Sequence, residues 1–416
     1  MTLLVPPAPV TPPVGPARLI APDTGPSLGE HLARLGPLPR PTGDLPAMVT
    51  AAGVRGRGGA GFPTGTKLAE VAGAGESKYV VANGTEGEPL SAKDRALLTA
   101  SPHLVLDGMV AAALAVRAGT AILCVSEGRP DVLAAVRRAV AERRDPVEVV
   151  VAAVPDRYVA GQETALVNWL SGGDAVPTSG PRPARRGVRG RPTLVDNVET
   201  LAHVGLVARF GAGWFRSLGL PEEPGTALVT VAGGVARPGV YEVPIGYPLG
   251  QLLARAGAGP VGALAVGGYF GTWIDPVRGL AAPLSDAGLG PLGARLGAGC
   301  LAVLPTDSCA LAEVAAVADW FAASSAGQCG PCLFGLADLA AAVRWLLAGR
   351  PEGAPAADRW SAMVEGRGGC HLPDGAARWV RSALAVLGQE IEWHRAGGCG
   401  RPYRGYLPAP VPGGRA

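Results

Sequence analysis

Lys78-Tyr79-Val80-Val81-Ala82-Asn83, Ala121 to Val125 and Val147 to Val154 are short apolar runs, and the stretches after the first two, Pro102 to about Arg117 and Asp131 to Arg143, carry helical patterning. Another helix is expected to begin near Gln162. This alternation admits few folds. Strands separated by helices pair in parallel, the helices cover both faces, and strands buried on both faces read as unbroken apolar runs. The expectation is an α/β domain built on a doubly covered parallel sheet, whose ligands sit at the carboxyl ends of the strands.

The texture changes on either side. Residues 1–45 are dense in proline and read as a mostly extended arm with one helical piece around Ser27 to Leu35; the α/β domain then occupies 46–215. Between 225 and 305 the chain turns β-rich, with strands expected at Ala227 to Val231, Val240 to Val243 and Ala263 to Val266, separated by turns such as Arg237-Pro238-Gly239. From 308 to 395 it is helical again, at Ala310 to Ala323, Leu333 to Ala348, Asp358 to Val364 and Gly375 to Arg395, which suggests a compact bundle. Residues 396–416 are rich in Gly, Pro and Arg and are expected to be disordered.

With 416 residues the chain can bury ample core in several domains. Its 37 basic and 34 acidic residues leave +3, so bulk charge implies no nucleic-acid or anionic-membrane partner. No run of 18 apolar residues occurs, and Leu104 to Val116 is interrupted by Asp107, so no direct membrane insertion is expected. The N-terminus lacks the basic and apolar regions of a secretory signal. Seven cysteines, an odd number in a long chain, fit a reducing cytoplasm with thiols left for metal or redox work.

The chemistry centres on Arg55-Gly56-Arg57-Gly58-Gly59-Ala60-Gly61-Phe62-Pro63-Thr64-Gly65-Thr66-Lys67. Gly56, Gly58, Gly59 and Gly61 leave backbone amides uncovered and tolerate the positive φ of a phosphate-wrapping turn, and Lys67 supplies a cation. A flexible surface loop is the competing reading, since glycine is abundant here. Against it stand the rigid Phe62 and Pro63, and the placement of all the chain's lysines, Lys67, Lys78 and Lys93, in this region. Leu68 follows Lys67 where a Walker loop needs Ser or Thr, and Thr50 to Val54 is a weak strand to precede a dinucleotide fingerprint.

This loop resembles the Gly-x-Gly-Gly-x-Gly-Phe-Pro-Thr-Gly-x-Lys loop of the flavoprotein, NADH-oxidising subunit of bacterial respiratory complex I, a family with relatives in soluble NAD-linked hydrogenases and formate dehydrogenases. The likeness runs on to near residue 395. It implies an FMN-binding Rossmann-like domain, then a small β-grasp soluble-ligand-binding domain, then an iron-sulfur helical bundle. Asn83-Gly84-Thr85-Glu86-Gly87-Glu88-Pro89 is similar to the family's Asn-Ala-Asp-Glu-Gly-Glu-Pro, so Asn83, Glu86 and Glu88 are expected at the flavin, with Thr85 replacing an acid. Gly161-Gln162-Glu163-Thr164-Ala165-Leu166 resembles Gly-Glu-Glu-Thr-Ala-Leu and opens a helix, where unpaired amides favour an anion. Pro192 to Thr200 resembles Pro-Thr-x-Val-Asn-Asn-Val-Glu-Thr, with Asp196 for the first Asn and Asn197 retained to offer a donor and an acceptor. The resemblance makes Glu88 and Glu163 the expected catalytic carboxylates.

Two features depart from the family. Of the aromatic residues that hold NADH against the flavin only Phe62 aligns; one falls at Glu70, and the Lys and Phe of the family's later Lys-Pro-Pro-Phe segment fall near Ser179 and Arg182, with Arg182, Arg185, Arg186 and Arg189 either binding phosphates instead or forming an ordinary basic surface. The family's 4Fe-4S cluster takes Cys-Gly-x-Cys-x-Pro-Cys and one distant Cys. Here Cys329, Cys332 and Cys370 match, but Ala326 stands in the first position and cannot coordinate iron. Cys309, His371 or solvent could complete a cluster. Zinc on the three thiols with His371, a thioredoxin-type dithiol at Cys329-Gly330-Pro331-Cys332, and unliganded packed thiols stay open. The implied function is an FMN-dependent component that passes electrons from NADH to an iron-sulfur centre or partner subunit, cytoplasmic or peripheral to a membrane complex. The alternative is a non-catalytic flavin- or small-ligand-binding relative.

Overall fold

In the computed structural model the described residues are 11, 15–39, 44–75 and 77–409. The first sheet has four parallel strands, β1 (Lys78–Gly84), β2 (Ala118–Ser126), β3 (Glu148–Val154) and β4 (Thr193–Asn197), in the spatial order β3-β2-β1-β4. The interior of β1 is buried from Val80 to Ala82, as expected of a strand covered on both faces, whereas β3 at the edge is exposed or half-buried until Val154. From β1 the chain winds outward to β2 and β3, then crosses back to lay β4 on the other side of β1. The carboxyl ends of β1 and β4 therefore flank a topological switch point, where an open α/β sheet leaves a crevice. Asn83 and Asn197 are register partners at that place.

The helix Pro102–Val116 is buried almost all round, because it lies between the sheet and the helix Val198–Phe215. Gly108 makes that crossing possible: a Cβ there would meet the Leu201 carbonyl oxygen at 1.7 Å. The helix's one charged group, Asp107, is held by Arg143 at 2.9 Å, by Arg209 and by His31 at 2.7 Å. Burial would raise its pKa, but these partners outweigh burial and hold the carboxyl below its usual range. His31 comes from the helix Leu28–Leu35, capped by Ser27, so the proline-rich arm is tied to the domain, with Leu19 and Ile20 in the same core. No strand forms at Thr50 to Val54: Asp44 caps a helix, Leu45–Ala52, that runs through most of that stretch.

A second sheet of five strands, β5 (Thr226–Gly233), β6 (Gly239–Pro244), β7 (Val261–Val266), β8 (Thr272–Ile274) and β9 (Cys300–Pro305), has the order β6-β5-β9-β7-β8. Its central strand, β9, alternates strictly: Leu301 and Val303 face a core shared with the helix Leu249–Arg255, while Cys300, Ala302 and Leu304 face the C-terminal helices. Those helices are Ala310–Ala323, Leu336–Leu347, Gly353–Val364, Leu372–Val386 and Gly388–Arg395, the last two separated by a break at Leu387 where one long helix was expected.

The C-terminal segment departs from the expected disorder as far as residue 409. Tyr406 N and Leu407 N donate to the two carboxylate oxygens of the fully buried Glu313, each at 3.0 Å, and Leu407 is itself buried. Main-chain amides carry that docking, which composition does not reveal. The remainder of the tail lies outside the described residues. Among the described residues no single helix is long and apolar enough to cross a membrane.

Candidate functional site

A cleft of about 900 Å³ opens at the carboxyl ends of β1 and β4. Its wall contains every residue expected at the flavin: Gly56, Gly58, Gly59, Gly61, Phe62, Lys67, Asn83, Glu86, Glu88, Gly161, Glu163 and Asn197. Gly59 and Gly61 have φ of +110° and +65°, conformations that L side chains resist. The loop closes on itself through Gly56 N to Phe62 O at 2.8 Å and feeds the helix Thr64–Ala72, whose Pro63 N-cap offers no side-chain acceptor. Thr64 N donates to the Val54 carbonyl oxygen at 3.0 Å, and the next amides are left without a side-chain cap at the positive end of the dipole. Gly65 serves packing instead: a Cβ there would sit 2.1 Å from Thr50 Oγ1.

Lys67 is not a solitary cation. Its Nζ lies 3.0 Å from Glu163 and 3.7 Å from Asp196 and also donates to the Val195 carbonyl. Burial pulls its pKa down, but the two carboxylates outweigh this and hold the ammonium above its ordinary value. Burial pushes Asp196 up to about 6, with Lys67 opposing. Asp196 Oδ2 is buried without a hydrogen-bond partner, an acceptor left for a ligand.

Several expected ligand groups are already engaged by the protein. Asn197 Nδ2 donates to Asp94 at 2.7 Å and its Oδ1 accepts from Lys93 at 3.1 Å, while capping Glu199 N, so it positions the cleft more than it offers free groups. Glu86, at φ +48°, accepts from Ser91 Oγ at 2.8 Å and from the amides of Asp94 and Arg95. Asn83 donates to Gly161 O at 2.8 Å and accepts from Thr85 Oγ1, which ties the two ligand loops together and gives Thr85 its role. Gln162 Oε1 takes the amides of Thr164 and Ala165, so the helix Glu163–Leu170 does not present the free amides expected of it. Glu88 accepts from Leu90 N and Tyr269 N, yet burial still lifts its carboxyl to about 7.

Apart from Cys370 and His371, the opposite wall was not legible as a site in the sequence. Gly267, Phe270, Gly271, Arg295 and part of Cys370 to Arg378 bring the second sheet and the C-terminal helices to the same cleft. Tyr158 and Phe270 lie there with ring centroids 5.4 Å apart. Tyr158 adjoins a motif already singled out; Phe270 carries no local signal because it arrives from another part of the chain. Arg182, Arg185, Arg186 and Arg189 do not line the cleft, and Arg185 is exposed near Glu70 at 3.6 Å. The arginines of the far wall are Arg295 and Arg378.

Cys329, Cys332 and Cys370 come together: Cys329 and Cys332 share a hydrogen bond, and Cys370 interacts electrostatically with Cys329 and Cys332. The Ala326 amide donates to Cys332, so the main chain at Ala326 lies next to the thiols at the position where the remaining ligand was expected. With His371 they do not close to within 4.8 Å of one another, which a single zinc ion would require, whereas a multi-iron cluster spans more. By ligand type three thiols suit iron-sulfur coordination, and Ala326 leaves the fourth expected position without a thiol. Cys309 cannot complete the set, because its thiol contacts Glu390 and His394, each at 3.3 Å. The dithiol reading lacks its frame: a helix, Ala310–Ala323, precedes the motif where a strand is needed.

Residues 49–206 match the family described as the Nuo51 FMN-binding domain, 228–268 the SLBB domain, and 312–394 the NADH-ubiquinone oxidoreductase-F iron-sulfur binding region. The F subunit of NADH-quinone oxidoreductase from Mycobacterium tuberculosis is 34% identical over 387 residues, covering 87% of each chain. The alpha subunit of the NAD-reducing hydrogenase HoxS of Cupriavidus necator is 34% identical over 339 residues, and the match takes in 77% of this chain but 55% of that one. A crystal structure of an NAD+-reducing [NiFe]-hydrogenase in the H2-reduced state superimposes with a TM-score of 0.77 at 34% identity, covering 84% of this chain and 62% of that chain.

Proposed function

The chain belongs to the family of NADH-quinone oxidoreductase F subunits, and on that premise we propose that it is an FMN-dependent, NADH-oxidising subunit that delivers electrons through an iron-sulfur centre to a partner subunit. The observation that carries this reading is the single cleft at the β1/β4 switch point that gathers the expected flavin residues on one wall and Cys370 on the other. FMN, when bound, accepts two electrons as hydride and releases them singly.

The chain's own part is positioning. The Gly56–Gly61 turn and the uncapped start of the Thr64–Ala72 helix hold the phosphate, with Lys67 neutralising charge beside it. Asn83 and Asn197 fix the strand ends, and Asp196 Oδ2 accepts a donor from the ligand. Glu88 and Glu163 are the carboxylates placed to order or protonate groups of the dinucleotide. Phe62 at the rim, with Tyr158 and Phe270 inside, supplies the ring surfaces that the aligned motifs lack. The Cys329, Cys332 and Cys370 thiols hold three corners of the cluster.

The five-stranded sheet with its Leu249–Arg255 helix is read as the β-grasp domain, and the five C-terminal helices as the bundle that carries the cluster. The named relatives are subunits, which supports other electron-transfer subunits as partners and a cytoplasmic place for this one. Ala326 favours a second reading, a flavin-binding relative that no longer passes electrons onward. Anaerobic purification followed by NADH addition separates them: flavin absorption that bleaches supports the enzyme, and flavin bands that persist sink it.

A further inference from the structure

Cys309, Glu390, His394 and Cys399 offer ligand atoms that all lie within 4.8 Å of one another, and among the described residues they are the group that converges in this way. None of them lines the cleft. Cys309 caps the start of the Ala310–Ala323 helix, whereas Cys329 follows the helix's other end, about 20 Å along its axis.

We propose that these residues form a structural zinc site that staples the C-terminal segment to the start of that helix. Cys309 Sγ lies 3.3 Å from both Glu390 Oε1 and His394 Nε2, near the roughly 3.5 Å edge of a tetrahedron with zinc-ligand bonds of about 2.0–2.3 Å. His394 Nδ1 is 2.8 Å from the Leu347 carbonyl oxygen, which can only accept, so Nδ1 carries the proton and Nε2 presents its lone pair to the group. Cys309 also contacts the Cys399 thiol. Two thiolates, a carboxylate and a neutral imidazole leave one negative charge around a divalent ion, and Arg401 stands 3.7 Å from Glu390 to balance it. Cys309 and Glu390 are buried while His394 and Cys399 are half-buried, so the metal enters from the tail side as the two thiols lose their protons.

The test is metal analysis of the full-length protein purified without oxygen and dialysed against zinc, with iron measured in parallel. Wild type should retain roughly one zinc per chain. Cys399→Ser and His394→Gln should each lower zinc at least five-fold while leaving flavin and iron unchanged, and should speed tryptic cleavage at Arg401 and Arg404. Cobalt in place of zinc should give thiolate-to-metal absorption that both variants lose. Zinc absent from wild type, zinc indifferent to both variants, or a Cys309–Cys399 disulfide in the protein as isolated would each overturn the site.

Discussion

Lys67 Nζ lies 3.0 Å from Glu163 Oε1, so the cation expected to meet a phosphate already shares its charge with a carboxylate of the neighbouring loop, and with Asp196 beyond it. Two substitutions should move ligand affinity in opposite directions. Lys67→Met leaves two uncompensated carboxylates and should raise the FMN dissociation constant at least ten-fold, about 1.4 kcal/mol. Glu163→Gln frees the ammonium and should hold or tighten FMN binding while NADH turnover falls. Flavin fluorescence titration and steady-state rates check both; equal weakening in the two variants would remove Lys67 from the phosphate site.

The glycine turn makes a sharper distinction. Gly61 has φ +65° and nearly open space around a would-be Cβ, so Gly61→Ala should strain the backbone by about 1–2 kcal/mol without a clash, and weaken FMN binding by roughly ten-fold. Gly58 has no positive φ, and its Cβ would only touch Asn197 at 3.4 Å. Gly58→Ala should therefore stay within about 0.5 kcal/mol of wild type in urea unfolding. Equal losses of stability would show that the turn's conformation is not what matters.

Glu88 and Asp196 set the expected pH dependence. Burial raises their folded pKa values to about 7 and about 6, above ordinary carboxylate values. Between the ordinary values and these, the folded state holds more protons than the unfolded one, so their contribution is fully present at low pH and is lost as pH rises through 6 and 7. The ligand-free protein should lose melting temperature over that window, and affinity for anionic FMN should fall from pH 6 to 8 as negative charge accumulates in the cleft. Asp196→Asn should flatten the lower part of both profiles and Glu88→Gln the upper part; profiles unchanged by both would contradict the assignment.

What the sequence made legible was local. β1, β2 and β3 announce themselves as apolar runs, and the ligand loops follow the strand ends as patterns of Gly, Asn and Glu. What it hid was assembled from afar. Cys300–Pro305 is a short apolar run between Gly299 and the Pro305-Thr306-Asp307 turn residues, but nothing local says that it pairs with β5 on one side and β7 on the other to form the centre of the second sheet. Phe270 and Arg378 reach the cleft only through tertiary packing. Asn197 and Gln162 look like free ligand groups by residue type, but type does not say whether a neighbouring amide or Asp94 has taken a side chain's capacity first. The tail misleads in the same way, since its order comes from Glu313, distant in sequence.

The iron-sulfur site gives the last prediction. Cys332 accepts the Ala326 amide, which brings the main chain at Ala326 next to the gathered thiols, so Ala326→Cys should add a fourth thiolate there. Anaerobic reconstitution of that variant should give roughly four irons per chain in an oxygen-stable cluster with broad visible absorption. Wild type, with a non-thiolate or open fourth position, should hold its iron more loosely and lose it faster in air, because an uncapped iron is exposed to solvent and oxidant. Iron content and absorbance against time in air read the difference directly. If the variant gains neither iron nor lifetime, the three thiols do not form a cluster cage, and electrons from the flavin must leave through a partner subunit instead.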